Sequence, residues 1–360
     1  MTVALERTLD ALGSHRVIEP AGALPQNAWK LDNTPVAHAN EILCEVEMLC
    51  IDSASFKQIS DACDGDAHRI AEHIKNNVSE RGKQHNPVTG SGGMFVGSVL
   101  QVGEQLTKAI DLKTGDRIAS LVSLTLTPLW IEEITEVSSD GHVCLRGKAV
   151  LFESSIWAKL PTDIPTDVAL ATLDVAGAPA QVQRMTNAGD SVVVIGAAGK
   201  SGLLACAQAR KHAGPTGRVI AIVPHANNEG AQLLLREHLV DRLIEADARD
   251  ARTINALVTE AVPDLADLTV NCVNVPGTEL SSILCTKERG TVYFFSMSTS
   301  FTAAALGAEG VGKDVTMIVG NGYAKGHADI ALQTLRDHPA IHSYFHRRFG
   351  SRSASPEESI

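Results

Sequence analysis

The stretch Gly196-Ala-Ala-Gly199-Lys-Ser-Gly202 constrains this chain more than any other. It follows the apolar run Ser191–Ile195 and opens into Leu-Leu-Ala-Cys-Ala-Gln-Ala-Arg-Lys-His. A buried strand, a glycine turn and a helix are expected. In that setting the three glycines have separate jobs. Gly196 makes the tight turn, Gly199 lets backbone approach a pyrophosphate, and Gly202 lets the helix pack close to the strand. The helix N-terminus, with Lys200 and Ser201 in its first turn, would offer unpaired N–H groups and a positive dipole end to the phosphates. A bare glycine triplet also occurs at strand–helix turns of other α/β domains. Context favours a dinucleotide site, because a second strand, Arg218–Val223, begins after a helix-length segment and completes a βαβ unit.

Strands and helices alternate beyond that turn. Strands are expected at 218–223, 242–245, 268–272, 290–296 and 314–319, which makes a Rossmann-type doubly wound parallel sheet of five or six strands. Ahead of it, 167–185 reads as one helix with apolar residues at three-to-four spacing. The segment 328–337 reads as a helix packing back on the domain junction. The first part of the chain has a different rhythm. Short strands at 42–50, 95–102 and 116–122 are separated by Gly103 and the Thr114-Gly115-Asp116 turn, and a helical insert near 61–81 interrupts them. At 360 residues the chain suits two domains. The expected division is a β-rich domain over 1–160, with 328–360 packing back on it, and a nucleotide-binding domain over 161–327.

Composition acts by exclusion. The formal net charge is −11 and no long basic run is present, so nucleic acid is not an expected partner. No apolar stretch reaches membrane-spanning length, and residues 1–7 lack the basic and apolar regions of a signal peptide. Seven cysteines without C-x-x-C spacing suit free thiols in a reducing cytoplasm. Aromatic content of 4% weakly favours a small polar substrate over an aromatic-lined site.

A β-rich N-terminal domain followed by a Rossmann domain near residue 160 resembles the medium-chain dehydrogenase/reductase superfamily, which implies a GroES-like first domain. The stretch Asn86-Pro-Val-Thr-Gly-Ser-Gly-Gly-Met-Phe-Val-Gly-Ser-Val-Leu-Gln-Val-Gly103 is similar to that superfamily's GHE-x-x-G-x-V-x-x-x-G segment, and Leu112-Lys-Thr-Gly-Asp-Arg-Ile118 to its GDRV turn. Zinc alcohol dehydrogenases of the superfamily hold catalytic zinc with Cys, His and a second Cys, and zinc needs three such ligands. At the corresponding positions this chain has Asp52, Gly93 followed by Met94, and Leu173 beside Asp174. The four-cysteine structural lobe is missing too. No metal is expected.

The phrases Leu12-Gly-Ser-His-Arg-Val-Ile-Glu-Pro20, Leu24-Pro-Gln-Asn-Ala-Trp-Lys30 and Ile51-Asp-Ser-Ala-Ser-Phe-Lys-Gln-Ile59 resemble a narrower group, the L-erythro-3,5-diaminohexanoate dehydrogenases. The resemblance implies NAD(P)-dependent oxidative deamination of a diamino acid in lysine fermentation. Such chemistry takes a hydride from a carbon bearing a neutral amine, and water then hydrolyses the imine. Without zinc, side chains must manage charge and protons. An ionised Asp attracts an ammonium and accepts a proton if burial raises its pKa. By resemblance, Asp52 and Asp174 would flank the substrate amines at the domain cleft, one as general base, and Glu153 is a third candidate acid. A strand-end cap for Asp52, a helix hydrogen bond for Asp174 and a plain ion pair for Glu153 are the competing readings. His15 and Arg16 are expected to bind the substrate, with Arg16 clasping its carboxylate through two hydrogen bonds. Glu19 and Lys30 share that segment, and surface pairing is their alternative.

Enzymes that use NAD place an acid at the end of the second Rossmann strand. Here Val223 stands there, followed by Pro224, His225, Ala226, Asn227 and Asn228. No negative charge at Val223 repels a 2′-phosphate, and no Arg attracts one, so NAD or NADP remains open. Asn274 and Ser296 lie at strand ends that line the nicotinamide side in the superfamily. A zinc-free quinone or enoyl reductase, kept open by Tyr323, and a non-enzymatic nicotinamide-binding sensor are the alternatives. By analogy, a homodimer is expected.

Overall fold

The computed structural model describes residues 9–86, 92–139, 141–320 and 322–350. The chain divides into two compact units, Met1–Leu160 and Pro161–Ile360.

The first unit opens with a 3₁₀ turn at Ser14–Arg16 and a small antiparallel pair, β1 (Val17–Glu19) with β2 (Lys30–Leu31). Then come β3 (Glu41–Cys50), α1 (Ser53–Ala62), α2 (Ala67–Arg81), β4 (Met94–Val102), β5 (Arg117–Ser120), β6 (Leu129–Val137), β7 (His142–Phe152) and β8 (Trp157–Lys159). Six of these strands form one antiparallel sheet in the order β6-β7-β3-β4-β5-β8. Its core is built from Val46, Leu49, Phe95, Ile118 and Leu129 on strands, with Ile74 of α2 packed among them. The helical insert expected near 61–81 is two helices. Asp52 and Asp66 each cap one, accepting from the N–H groups of Ser55 and Arg69. Between them Asp64 and Gly65 take positive φ, which no helix can pass through.

The second unit runs α3 (Thr166–Leu173), α4 (Gly177–Met185), β9 (Ser191–Ile195), α5 (Lys200–Ala213), β10 (Arg218–Val223), α6 (Glu229–Arg236), β11 (Arg242–Glu245), α7 (Ala251–Ala261), β12 (Ala266–Asn271), α8 (Glu279–Cys285), β13 (Thr286–Phe294), α9 (Phe301–Val311), β14 (Thr316–Val319), α10 (His327–Asp337) and α11 (Pro339–Phe349). Its sheet is wholly parallel, ordered β11-β10-β9-β12-β13-β14. Crossing from β9 to β10 on one side and β12 on the other is the doubly wound pattern. The central strand β9 is sealed on both faces, with Val192, Val193, Val194 and Ile195 at 0% exposure. Each such side chain stabilises the sheet by about 1.5–3 kcal/mol relative to exposure.

One helix was expected over 167–185, and two are found. Pro179 lies in the first turn of α4, where its missing N–H costs nothing, whereas a continuous helix would set its ring against the carbonyl four residues back. The helix at 327–337 exists as α10 and packs on α3, α4 and α5, with Gln208 donating to Thr334 at 2.6 Å. Next, α11 packs on α3 and α6. Both helices belong to the second unit; residues 351–360 lie outside the described residues.

Candidate functional site

Gly196 has φ +81°, a backbone state that side chains resist, and its N–H bonds Ile222 O at 2.9 Å. The turn therefore folds over the end of β10. A Cβ on Gly202 would lie 2.4 Å from Gly196 O, so only hydrogen fits where α5 meets the turn. Gly199 differs. It is exposed, and a Cβ built there meets nothing nearer than 3.6 Å. It is also the N-cap of α5, with no side chain closing the cap. The N–H groups of Lys200, Ser201 and Gly202 have no hydrogen-bond partner among the described residues. An open backbone face and a bare helix N-terminus fit a pyrophosphate. The turn and packing roles expected of Gly196 and Gly202 have a geometric counterpart, and the backbone beside Gly199 is open.

Parallel strands send their following loops to one edge, so the loops after β10, β11, β12 and β13 share the edge that carries the glycine turn. Val223 is 1% exposed and cannot reach a ligand. His225 and Asn227 are exposed, and Asn228 caps α6 through Gly230 N–H at 2.8 Å. Ala226 N–H donates to Glu245 Oε2 at 2.7 Å. The loops after β12 and β13 are tied together, since Ser298 Oγ donates to Asn274 Oδ1 at 2.8 Å and Ser298 N–H to Ser296 Oγ at 3.2 Å. Behind them Asn271 Nδ2 donates to Thr278 Oγ1 and Ser282 Oγ, a buried network that sequence spacing did not flag.

Asp174 stands at the break between α3 and α4 and pairs with Lys200, Nζ to Oδ2 at 2.6 Å. The Lys200 ammonium also lies 5.4 Å from the Phe349 ring centre. The sequence did not anticipate this pairing; it occupies Asp174 with a lysine of the glycine turn.

In the first unit Asp52 caps α1. Its Oδ1 accepts from Ser55 N–H at 2.9 Å, while its buried Oδ2 has no hydrogen-bond partner among the described residues. A buried carboxylate oxygen left over in this way is costly and calls for a partner such as a water, a proton or a cation. The cap reading therefore holds for Oδ1, and Oδ2 is left for a further partner. Cys50 pairs with Met94 across β3 and β4, so Gly93 sits beside that strand end with φ +83°. A Cβ there would lie 2.1 Å from Cys50 O. Backbone thus fills the space beside Gly93, the position that the resemblance matches to the histidine of zinc relatives. Among the described residues no three His, Cys, Asp or Glu side chains cluster as a metal site, and Gly93, Met94 and Leu173 offer no suitable ligand atom.

Arg16 and His15 are placed differently from the expectation. Arg16 is 1% exposed and clasps Glu41, itself 0% exposed, through Nε at 2.8 Å and Nη2 at 2.6 Å. Its remaining donors reach Thr34 O at 3.0 Å and Val36 O at 2.5 Å. His15 Nε2 lies 2.8 Å from the same carboxylate. Burial pushes the Glu41 carboxyl up, but hydrogen bonds from Arg16, His15 and His38 N–H outweigh it and hold the pKa at about 2. The two-pronged clasp expected of Arg16 exists, yet its partner is a side chain of this chain. Glu19 and Glu153 are exposed and Lys30 is half-buried.

Residues 83–86 carry polar groups that sequence reading missed. Lys83 is fully buried and donates to Pro25 O at 2.7 Å; burial and then Arg81 bring its pKa down to about 8. His85 Nδ1 lies 3.2 Å from Thr125 Oγ1, and burial, Arg81 and Lys83 bring its pKa to about 4, so the ring is neutral. No local pattern could have marked them, because their partners are far away in sequence. Residues 87–91, part of the quoted 86–103 motif, lie outside the described residues.

The first unit matches the model of the L-erythro-3,5-diaminohexanoate dehydrogenase N-terminal domain over residues 15–161. Across the whole chain, an L-erythro-3,5-diaminohexanoate dehydrogenase of Acetoanaerobium sticklandii is 52% identical over 341 residues, covering 94% of this chain and 98% of that protein. The chain belongs to the L-erythro-3,5-diaminohexanoate dehydrogenase family. A second member, from Fusobacterium nucleatum, is 51% identical over 92% of this chain and 96% of its own. Solved structures share the fold at lower identity. A mycobacterial quinone oxidoreductase has a TM-score of 0.52 at 18% identity, covering 86% of this chain and 83% of that one. The CurK enoyl reductase has a TM-score of 0.51 at 16%, covering 90% and 83%. These neighbours match a first domain with an antiparallel sheet and a second of Rossmann type, the architecture expected from the sequence. The chain is thus a dehydrogenase-family enzyme built on a fold shared with quinone and enoyl reductases.

Proposed function

We propose that this chain catalyses oxidative deamination of L-erythro-3,5-diaminohexanoate, with NAD or NADP as oxidant, to 5-amino-3-oxohexanoate and ammonia. The observation that carries this reading is the 52% identity to the A. sticklandii enzyme over 98% of that protein. One water is consumed and one proton released per turnover. The nicotinamide, when bound, accepts the two electrons and the hydrogen from the substrate carbon.

The chain's own residues would act as follows. The turn at Gly196, Gly199 and Gly202, with the first N–H groups of α5, holds the pyrophosphate. Lys200, in the first turn of α5, is held by Asp174, so Asp174 serves as a positioning residue. Asp52 Oδ2 receives the proton of the substrate ammonium, leaving the neutral amine that oxidation requires. Arg16, His15 and Glu41 order the segment before β3 instead of binding substrate. Zinc takes no part, since Gly93 leaves no room for a ligand side chain. The setting would be lysine fermentation in the cytoplasm; no helix among the described residues is long and apolar enough to cross a membrane. A second copy of this chain would pair along the edge strand β14, where Val319 and, on neighbouring α9, Phe301 and Leu306 are exposed.

The test is an absorbance assay for reduced nicotinamide with the 3,5-diamino acid as substrate. Stoichiometric ammonia release is expected. Reduction of quinones or enones with no turnover of any diamino acid would overturn the reading.

A further inference from the structure

The position that the dinucleotide fingerprint reserves for an acid is Val223, and its side chain is sealed in the sheet. The neighbouring strand supplies a carboxylate in its place. Strand β11 pairs with β10 in the register Val223↔Glu245, so Glu245 ends its strand level with Val223 and one strand further out. Glu245 is exposed, and its Oε2 reaches back to accept Ala226 N–H at 2.7 Å. That contact lies in the middle of the loop 224–228 that follows β10, on the same sheet edge as the glycine turn.

The surrounding charges leave this carboxylate uncompensated. Residues 223–232 contain no Lys or Arg. Arg249, after β11, is taken up by Asp247 through two nitrogens. Arg347 of α11 is paired with Glu229 in the first turn of α6, at 2.6 Å. Each of those pairs is neutral as a unit. Glu245, in contrast, has a backbone N–H as its hydrogen-bond partner, which keeps it oriented without cancelling its charge. Its second oxygen is available to a ligand hydroxyl.

We infer that Glu245 is the specificity-determining residue for the cofactor ribose, holding the 224–228 loop and selecting a free 2′-hydroxyl over a 2′-phosphate. This rests on the nicotinamide-dependent reading above and refines it toward NAD. A carboxylate accepts from a ribose hydroxyl, whereas a 2′-phosphate brings one to two further negative charges to the same place. At a separation of roughly 6 Å in a watery surface site, that repulsion is worth about fivefold to tenfold in affinity.

The test uses cofactor fragments, so binding is read without turnover. ADP and 2′,5′-ADP are titrated calorimetrically into the full chain and into Glu245→Gln. The amide keeps an oxygen for Ala226 N–H and removes the charge, and the residue is exposed, so thermal unfolding should be unchanged. Wild type should favour ADP. The variant should move the affinity ratio toward 2′,5′-ADP by at least threefold, with a parallel shift in the NADP-to-NAD ratio of kcat/KM. A smaller shift with both fragments still bound would overturn the role of Glu245 and leave the cofactor site standing. A wild-type chain that binds neither fragment would overturn the nucleotide site, and this assignment with it.

Discussion

Two helices in this chain begin directly after strands, and their N-termini are finished in opposite ways. After β9, α5 starts at Gly199 with no side chain closing its cap. After β3, α1 starts at Asp52, which folds its own carboxylate back onto Ser55 N–H. The backbone problem is the same in both: the first N–H groups of a helix have no partner within it. The second unit leaves that need open, and an anion from outside can meet it. The first unit meets it internally and is left with a spare carboxylate oxygen. One end is therefore suited to hold phosphate, and the other to handle a cation or a proton.

The contrast can be broken most forcefully at Gly199. Its φ of −83° suits any residue and no atom crowds its Cβ, so Gly199→Val should fold normally. The branched side chain would block the bare N–H groups. Losing two hydrogen bonds to a charged phosphate costs roughly 3–6 kcal/mol. Calorimetric titration with NAD or ADP should show binding lost; retained affinity would mean that the open cap holds no phosphate.

A carboxylate closed on every side sharpens the comparison. Glu41 has a depressed pKa of about 2 in the fold, against an ordinary value of 4.5. Its contribution is fully present above the ordinary value and disappears as pH falls through about 2. It amounts to roughly 3 kcal/mol. Urea unfolding from neutral pH down to the acid limit should show wild type losing that margin. Glu41→Gln, which strands the Arg16 cation, should start about 3–5 kcal/mol lower and lose less on acidification. Parallel pH profiles would mean that the Arg16–Glu41 pair is not tight in solution.

At the other N-terminus, Asp52→Asn keeps a cap oxygen and removes the spare anionic one. Asparagine caps about as well as aspartate, so stability should hold. Turnover of the diamino acid should fall roughly 10²-fold, the effect of losing a positioned base. A raised KM with unchanged kcat would instead make Asp52 a binding group.

The smallest effect separates the two glycines of one turn. Gly202→Ala puts a methyl 2.4 Å from Gly196 O. Overpacking of that kind costs about 1–3 kcal/mol. A lower Tm should accompany it, with the cofactor affinity of the remaining folded protein much less affected than in Gly199→Val. Equal loss of affinity in both variants would erase the distinction between a ligand face and a packing face.

Legibility followed the range of the forces involved. The strand at Arg218–Val223 could be read residue for residue, because a buried parallel strand is a short apolar run between turns. The short Leu243-Ile244 core of Arg242–Glu245, at the sheet edge, was legible from its place in the strand–helix alternation. The break in 167–185 was hidden because apolar spacing continues across it and outweighed the single proline. At the site, the glycine turn is local and was readable. The partners of Arg16, Asp174 and Val223 are not local. Glu41 lies 25 residues from Arg16, Lys200 lies 26 from Asp174, and Glu245 reaches its loop only through sheet register. Spacing identified chemically able side chains but not which of them were already engaged.

The buried clasp of Arg16 on Glu41 also bears on how the gene can be cut. Asn40 Nδ2 donates to Asp10 O at 3.0 Å, and Ser154 N–H to Ala11 O at 3.0 Å, so the chain is fastened to its sheet from about Asp10 onward. A purification tag or fusion partner joined ahead of Leu9 leaves those fastenings alone. A shortened version starting at Val17 would look tidy on a strand diagram, yet it would discard the Arg16 guanidinium that holds the Glu41 carboxylate. Any trimming of this chain should therefore keep Asp10 and everything after it through the clasp.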